Sequence, residues 1–359
     1  MAQHTVFPAP RDILIWEDND NADGLAYCQI KPMAEMAEGE GCNLPHNGLK
    51  PLLIETSNKP AKSPAFWSAN TMHAWLAGKP IELPTSADEA TPEQGFLAAP
   101  AQDERFHVQI SSETGTAKEG ISSETGTAKE GISSETGTAK EGISSETGTA
   151  KEGISSETGT AKEGMLFKTA GLDFNLPGQY QPLTIAARVN AKPSLPSFAD
   201  ILQTLDDYHP FGGERRLVHW QAQSSTAWVC PPDLRSRIRR AKYLRLVLAT
   251  PGLFETGWRP DWLKDDLTGK PPGTEVHIRL VSACIDRWRP ISGWLIERGK
   301  KPGPKPVRRL VPAGSVYFFE LIDGDPAELA DKLWLQSVCT DAQNQNDGFG
   351  LALWGVWKQ

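Results

Sequence analysis

No run of about eighteen apolar residues occurs in the 359-residue chain, which excludes a helical membrane span. The opening Met1-Ala-Gln-His-Thr-Val-Phe-Pro8 lacks a basic stretch followed by an apolar one, so no secretory signal is expected. Cysteine is scarce. Cys28, Cys42, Cys230, Cys284 and Cys339 are odd in number and scattered, which points to reduced thiols in a cytoplasmic protein. Cys42 and His46 form half of a zinc site, but no second pair stands at ligand spacing. Gly-x-Ser-x-Gly elbows, His-Glu-x-x-His helices and paired Cys-x-x-Cys motifs are all missing. Gly269-Lys270 is followed by Pro271, and no glycine stands five residues earlier, so it is not a phosphate loop. No cofactor is implied, and nothing here makes an active site.

One feature is present in excess. Ile-Ser-Ser-Glu-Thr-Gly-Thr-Ala-Lys-Glu-Gly is written five times without a substitution, starting at Ile110, Ile121, Ile132, Ile143 and Ile154 and ending at Gly164. A folded repeat domain needs an apolar face to stack, and each copy offers only Ile and Ala. Thr-Gly-Thr is a poor helix former, and the polar composition predicts a solvated, largely disordered segment. The flanks read as strands: Arg105-Phe-His-Val-Gln-Ile110 before the array and Met165-Leu-Phe-Lys-Thr169 after it. Removing four copies leaves a β-hairpin with one polar loop. Lengthening that loop about fivefold costs roughly 1.5 kcal/mol in closure entropy, which a fold absorbs. The array thus reads as an expanded hairpin tip inside an otherwise globular chain, long enough for two domains with real cores.

The net charge of −8 hides an asymmetry. Pro231 to Leu310 carries eighteen Lys and Arg against eight Asp and Glu. Such a segment suits a polyanion partner or a set of solvated helix faces, and charge alone does not choose.

In chain order, Asp12 to Trp16 reads as a strand, Asn19 to Pro45 as a loop, and Ala65 to Ala77 as an amphipathic helix stopped by Gly78. Its Trp67, His73 and Trp75 read as packing residues. Thr184 to Val189 reads as a strand and Phe198 to Leu205 as a helix. Phe211 to Trp220 is a glycine turn entering a strand, with Arg215 and Arg216 at its start. Asp233 to Lys242 is a basic helix or a basic approach to a strand. Leu244 to Ala249, Glu275 to Cys284 and Ser315 to Leu321 are strands, Pro326 to Gln336 is a helix, and Asp347 to Trp357 is a glycine-rich turn entering a final strand. That order suits a ferredoxin-like (RRM-type) sandwich. The predicted fold class is α+β, with domains at 1–230, containing the array at 110–164, and 231–359.

The binding candidates sit late in the chain. Gly348, Gly350 and Gly355 leave backbone bare for a polyanion. The basic loop Gly299-Lys-Lys-Pro-Gly-Pro-Lys-Pro306 cannot be helical and supplies charge beside it. Phe349, Trp354 and Trp357 are stacking candidates. For the two tryptophans a core role fits better, because they alternate with Leu353 and Val356. His107 has the chemistry of a general base, although a lone strand histidine more often orients or packs.

Taken together, several stretches resemble a known family, the third subunit of the Cmr complex, a type III-B CRISPR effector of the RAMP superfamily. They are Val6-Phe-Pro-Ala-Pro10; Arg105-x-His107-Val-x-Ile110 leading through Thr-Gly-Thr-Ala to Leu166-Phe167; Phe211-Gly-Gly-Glu-Arg-Arg216; Leu246-Val-Leu-Ala-Thr-Pro251; Gly293-Trp294; Arg308-Arg309-Leu-Val-Pro-Ala-Gly-Ser-Val-Tyr-Phe-Phe319; and Gly348-Phe-Gly-Leu-Ala-Leu-Trp-Gly355. The resemblance implies two ferredoxin-like domains and no catalysis. It also implies a role in holding the 5′ handle of the CRISPR RNA, with docking to the large polymerase-like signalling subunit and the first backbone subunit. The family usually has a β-α unit before the Phe-Pro-Ala-Pro segment, so the first domain is expected to lack its opening unit. On this reading Lys300, Lys301, Lys305, Arg308 and Arg309 contact phosphates, the Gly348–Gly355 loop lies against the RNA backbone, and Arg105 and His107 sit near the handle, with Arg215 and Arg216 as further candidates. The alternative is a RAMP-type metal-independent endoribonuclease with His107 as base.

Overall fold

The aliphatic and aromatic runs of the last third of the chain, interrupted by Pro and Gly, predict short strands that must find one another. The computed structural model describes residues 5–18, 24–34, 44–84, 91, 93–108, 166–173, 184–189, 204–211, 217–222, 226–295 and 303–358. In chain order it forms β1 (Val6–Pro8), β2 (Ile13–Asp18), β3 (Gly24–Gln29), β4 (Lys31–Pro32), β5 (Leu52–Leu53), β6 (Phe66–Ser68), α1 (Ala69–Leu76), β7 (Phe96–Leu97), β8 (Ala101–Val108) and β9 (Leu166–Asp173). There follow β10 (Asp206–Pro210), β11 (Leu217–Gln221), α2 (Pro232–Arg239), β12 (Tyr243–Leu248), β13 (Thr268–Gly269), β14 (His277–Cys284), β15 (Arg289–Ile291), β16 (Trp294–Leu295), β17 (Gly303–Pro304), β18 (Arg308–Leu310), β19 (Val316–Asp323), α3 (Ala327–Lys332), α4 (Ala342–Asn346) and β20 (Ala352–Val356). The architecture is mixed α and β, with small antiparallel sheets and few helices. No described helix is long and apolar enough to cross a membrane.

The largest sheet has the order β13-β14-β19-β12-β20. Its strand β12 is buried on both faces, as its continuous run Leu244-Arg-Leu-Val-Leu248 requires. Helices α2 and α3 pack on each other, and α2 packs on β20. Leu234, Ile238, Leu329 and Ala330 carry their apolar sides into the core.

The N-terminal segment is part of the same core. A three-stranded sheet, β1-β6-β7, pairs Phe7 with Trp67 and Trp67 with Phe96. Ser68 caps α1 through its Oγ, which accepts from the Thr71 N–H at 3.2 Å, and Gly78 stops the helix at φ +68°. Register pairs Arg245 of β12 with Gly355 of β20, so both lie on one face of the sheet. A Cβ at Gly355 would stand 2.6 Å from the Leu76 carbonyl oxygen, so α1 sits directly on that face. Under it, Arg245 Nη1 donates to Asp12 Oδ2 at 2.5 Å, and both side chains are fully buried. The Trp75 indole N–H donates to Asp12 Oδ1 at 2.8 Å, and the Arg245 guanidinium lies 5.2 Å from the Trp75 ring centre. Burial lowers the pKa of Arg245, and the Asp12 carboxylate opposes that shift. A second tie is steric. Gly314, at φ +85°, lets the Ala9 carbonyl approach to where a Cβ would be 2.3 Å away, and Arg11 N–H donates to Gly314 O.

These ties overturn the expected boundary at residue 230. The chain divides instead into one unit of 1–99 with 191–359 and a second of 100–190. The interlock is not visible in the sequence, where Asp12 is the first residue of an expected strand and Arg245 one more cation. In the second unit β8 and β9 pair antiparallel from Ala101↔Asp173 to Val108↔Leu166. The hairpin expected from the array's flanks is therefore present, and its paired ends bracket 109–165, which with the array lies outside the described residues.

Other local expectations divide. Helix α1 starts at Ala69, four residues late, because Phe66–Ser68 joins the sheet. The expected loop Asn19–Pro45 contains β3, paired with β2 through Ile15↔Tyr27. Asp233 to Lys242 resolves as helix followed by a turn. The helix expected to Gln336 ends at Lys332, and Leu335 turns left-handed at φ 51°. Thr184–Val189 is irregular rather than a strand, and most of Phe198–Leu205 lies outside the described residues. The four described cysteines are free thiols.

Replacing Asp12 with Ala leaves a buried, uncompensated guanidinium and should destabilise the fold by roughly 3–5 kcal/mol in urea denaturation. Replacing Asp12 with Leu and Arg245 with Met together should recover most of that loss; an unaltered midpoint for Asp12→Ala would remove the pair from the core argument. Deleting any four of the five repeats should leave the hairpin intact and raise stability by roughly 1.5 kcal/mol at most in urea denaturation, the closure entropy of the shorter loop; a loss of stability would give the array a structural role.

Candidate nucleic-acid interface

The surplus of positive charge between Pro231 and Leu310 resolves once partners are assigned. Arg235 forms a two-pronged contact with Asp331, both bonds 2.6 Å, and this holds the Asp331 carboxyl below its ordinary pKa. Lys242 and Arg279 converge on Glu320, whose pKa they lower, the Lys242 bond most. Arg259 pairs with Asp265, Lys270 with Glu275 and Arg245 with Asp12. These cations are structural or solvated pairs, and the bland reading holds for them.

Of the remaining cations, Arg237, Arg239 and Arg240 stay exposed on and beside α2 and Lys264 in a loop, while the larger group lies on one extension. Strands β14 and β19 are neighbours, and the chain between them continues as a narrow antiparallel arm. In it Arg289 pairs with Leu310, Ile291 with Arg308, and Trp294 with Pro304. Prolines 304 and 306 forbid helix, and the segment folds as strand and extended chain. Ser292 Oγ donates to the Lys305 carbonyl at 2.7 Å, and Lys305 N–H donates to Gly293 O at 2.7 Å. Arg287, Arg289, Lys305, Arg308 and Arg309 are all exposed, and none makes an ion pair among the described residues. The nearby carboxylate of Asp286 is engaged by Arg11 at 2.9 Å.

The arm meets the glycine-rich turn. Arg308 Nη1 donates to Asn344 Oδ1 at 3.1 Å, and Asn344 is buried in α4, which Asp341 caps at 2.8 Å. Between them lies a recess of about 180 Å³ lined by Ile291, Ser292, Gly293, Lys305, Pro306, Arg308, Asp347 and Phe349. Asp347 Oδ1 accepts from the Gln343 amide at 2.8 Å. Two stretches singled out separately in the sequence, the basic loop and Phe349, thus share one wall.

The glycines do not act as expected. Gly348 N–H donates to Gln345 O, Phe349 N–H to Asn344 O, Gly350 N–H to Pro251 O and Leu351 N–H to Thr250 Oγ1. Every amide of the turn is bound inside the protein, so none is left to receive a phosphate. Gly348 and Gly350 are needed for positive φ, at 79° and 74°, and a Cβ at Gly350 would stand 2.6 Å from Cys339 Sγ. Gly355 is buried beneath α1. Trp354 and Trp357 are core, as expected.

Arg105 and His107 lie on β8, in register with Thr169 and Phe167. Their side chains, and the whole of Arg215, Arg216, Lys300 and Lys301, lie outside the described residues. Arg287 and Arg289 were missed; the signal was the interleaved Arg-Trp-Arg of 287–289. Among the described residues no group of three or more His, Cys, Asp or Glu is placed to hold a metal, and His46 Nδ1 is occupied by the Gly48 N–H at 2.9 Å.

The sequence model of the CRISPR-associated protein family (Cas_Cmr3) matches residues 2–121 and 147–357. The chain belongs to the Cmr3 family of type III-B CRISPR systems. Membership makes it a component of a multi-subunit Cmr complex in CRISPR defence. The unmatched stretch, 122–146, falls wholly inside the repeat array. No curated protein matches the chain.

If the glycine turn is structural, Gly350→Ala should lower stability by about 1–3 kcal/mol through the strained φ and the Cys339 contact. It should leave the salt dependence of RNA binding unchanged, as read by fluorescence anisotropy; a changed salt slope at intact stability would return the turn to the interface.

Proposed function

We propose that the chain is a non-catalytic RNA-binding subunit whose arm helps hold the repeat-derived 5′ handle of the CRISPR RNA, and that it bridges the large polymerase-like signalling subunit to the first backbone subunit. The observation that carries this reading is the clustering of Arg287, Arg289, Lys305, Arg308 and Arg309 on one exposed extension without ion-pair partners among the described residues. Five exposed cations on one arm without ion pairs of their own form a basic stripe suited to a row of phosphates. The recess beside Phe349 gives the arm a concave side. The glycine turn contributes by fixing Asn344, and through it Arg308, rather than by offering amides.

The fold supports the same reading. Taken in sequence, β12, β14, β19 and β20 stand in the sheet as fourth-first-third-second. That is the ferredoxin-like order, with α3 as its second crossover. We read the segment between β12 and β14, which holds β13 and isolated bridges, as a replacement for the first crossover helix. The arm then grows from the β14–β19 connection of an RRM-like sheet.

Replacing Arg308 and Arg309 with Ala should weaken binding of single-stranded RNA and flatten the salt dependence of log K by roughly 1.4, two contacts at about 0.7 each. An unchanged slope would take both out of the interface. Incubated with repeat RNA in the absence of metal, the protein should leave the RNA intact; cleavage that disappears in His107→Ala would replace the non-catalytic reading.

A further inference from the structure

Among the tryptophans whose side chains are described, all are core or partly buried with one exception. Trp67 and Trp354 are fully buried, and Trp75, Trp334 and Trp357 nearly so, whereas Trp288 is 44% exposed. It is absent from the apolar cluster that Trp228, Trp258 and Trp262 pack against. A single exposed aromatic is ordinary on a protein surface, but this one is held in place by a cation. What holds it is Arg309, whose guanidinium lies 4.8 Å from the ring centre. The arm's register explains the contact. Pro290 pairs with Arg309 and Arg289 with Leu310, so Trp288 lies diagonally across from Arg309 on the same side of the ladder. Arg287 and Arg289 flank it in sequence, and both are exposed.

We propose that Trp288 is a stacking platform for an unpaired base of single-stranded RNA, oriented by Arg309, with Arg287 and Arg289 receiving the neighbouring phosphates. The inference rests on the RNA-binding reading above and adds a chemistry that charge does not supply. Cations on the arm attract any RNA backbone. A bare indole attracts only a base whose face is open, and bases inside an A-form duplex have their faces covered by their neighbours. Trp288 therefore makes the arm a reader of single strands. Each base stacked on an aromatic ring contributes enough that its loss is read as about a tenfold or larger fall in affinity, and the contribution does not depend on salt as phosphate contacts do.

The test uses the full-length protein, a ten-nucleotide single-stranded RNA of mixed sequence, and the same strand annealed to its complement, each titrated by anisotropy at several salt concentrations. Trp288→Ala should lose about tenfold or more on the single strand, keep the wild-type salt slope and leave duplex affinity unchanged. Trp288→Phe, which keeps a ring, should retain most of the affinity, while Trp288→Leu, which keeps bulk without a π face, should behave like the Ala variant. If Trp288→Ala binds the single strand as well as wild type does, while wild type still binds with a salt slope, stacking is refuted and the RNA-binding reading survives. Equal losses on single strand and duplex would also refute it, because the residue would then only shape the arm. If wild type shows no salt-dependent RNA binding, the broader reading falls and the proposal falls with it.

Discussion

A carboxylate and a guanidinium, both removed from water, hold the two ends of this chain together. Asp12 takes hydrogen bonds from Arg245 and from the indole of Trp75, while its backbone carbonyl accepts from Ile30. Arg245 in turn lies against the Trp75 ring and leaves its Nε and Nη2 without partners among the described residues. An apolar trio of similar volume would pack at lower desolvation cost, so stability alone does not account for the pair. Its effect is on arrangement. A charge in the middle of β12 tolerates one neighbour, and that neighbour must be the N-terminal segment carrying Asp12. The seat of α1 on β20, the bare Gly355 beneath it and the passage of Ala9 over Gly314 all depend on that docking.

The core of the C-terminal part was legible because its signals are local. Leu244 to Leu248 is too apolar for anything but a strand buried on both faces, and Trp354 and Trp357 alternate with residues that must be inside. Gly78 announced the end of α1. What was not legible depended on contacts distant in sequence. Nothing near Gly24 to Gln29 marks a strand, because its partner is β2. Nothing near Asp12 marks a buried anion. The boundary placed at residue 230 failed for the same reason, since a composition shift does not reveal which pieces interlock.

The site was half legible. Basic residues and glycines were visible in the sequence, yet sequence cannot tell a paired cation from a free one. Arg235, Lys242 and Arg279 look like Arg308 and Arg309 until Asp331 and Glu320 are found beside the first three. Glycine carries the same ambiguity. At Gly350 the missing side chain makes room for Cys339, and at Gly355 for Leu76, so the bareness that suggested a ligand is used by the protein itself. The Arg-Trp-Arg triplet at 287–289 was in plain view, but its importance depends on Trp288 being exposed, which only the fold decides.

Unit one is written in two instalments, 1–99 and 191–359, with the other unit between them. On the ribosome this becomes a matter of time. Asp12 and Arg245 are 233 positions apart, so at about 5–20 residues per second the first waits roughly ten to fifty seconds for the second. During that interval α1 with its Leu76 has left the ribosome while the strand it is to cover, β20, is still unwritten. Each repeat copied into the hairpin tip lies inside the waiting period and lengthens it. The array that costs the finished fold little is thus felt during synthesis, as added seconds in which an incomplete core stands open.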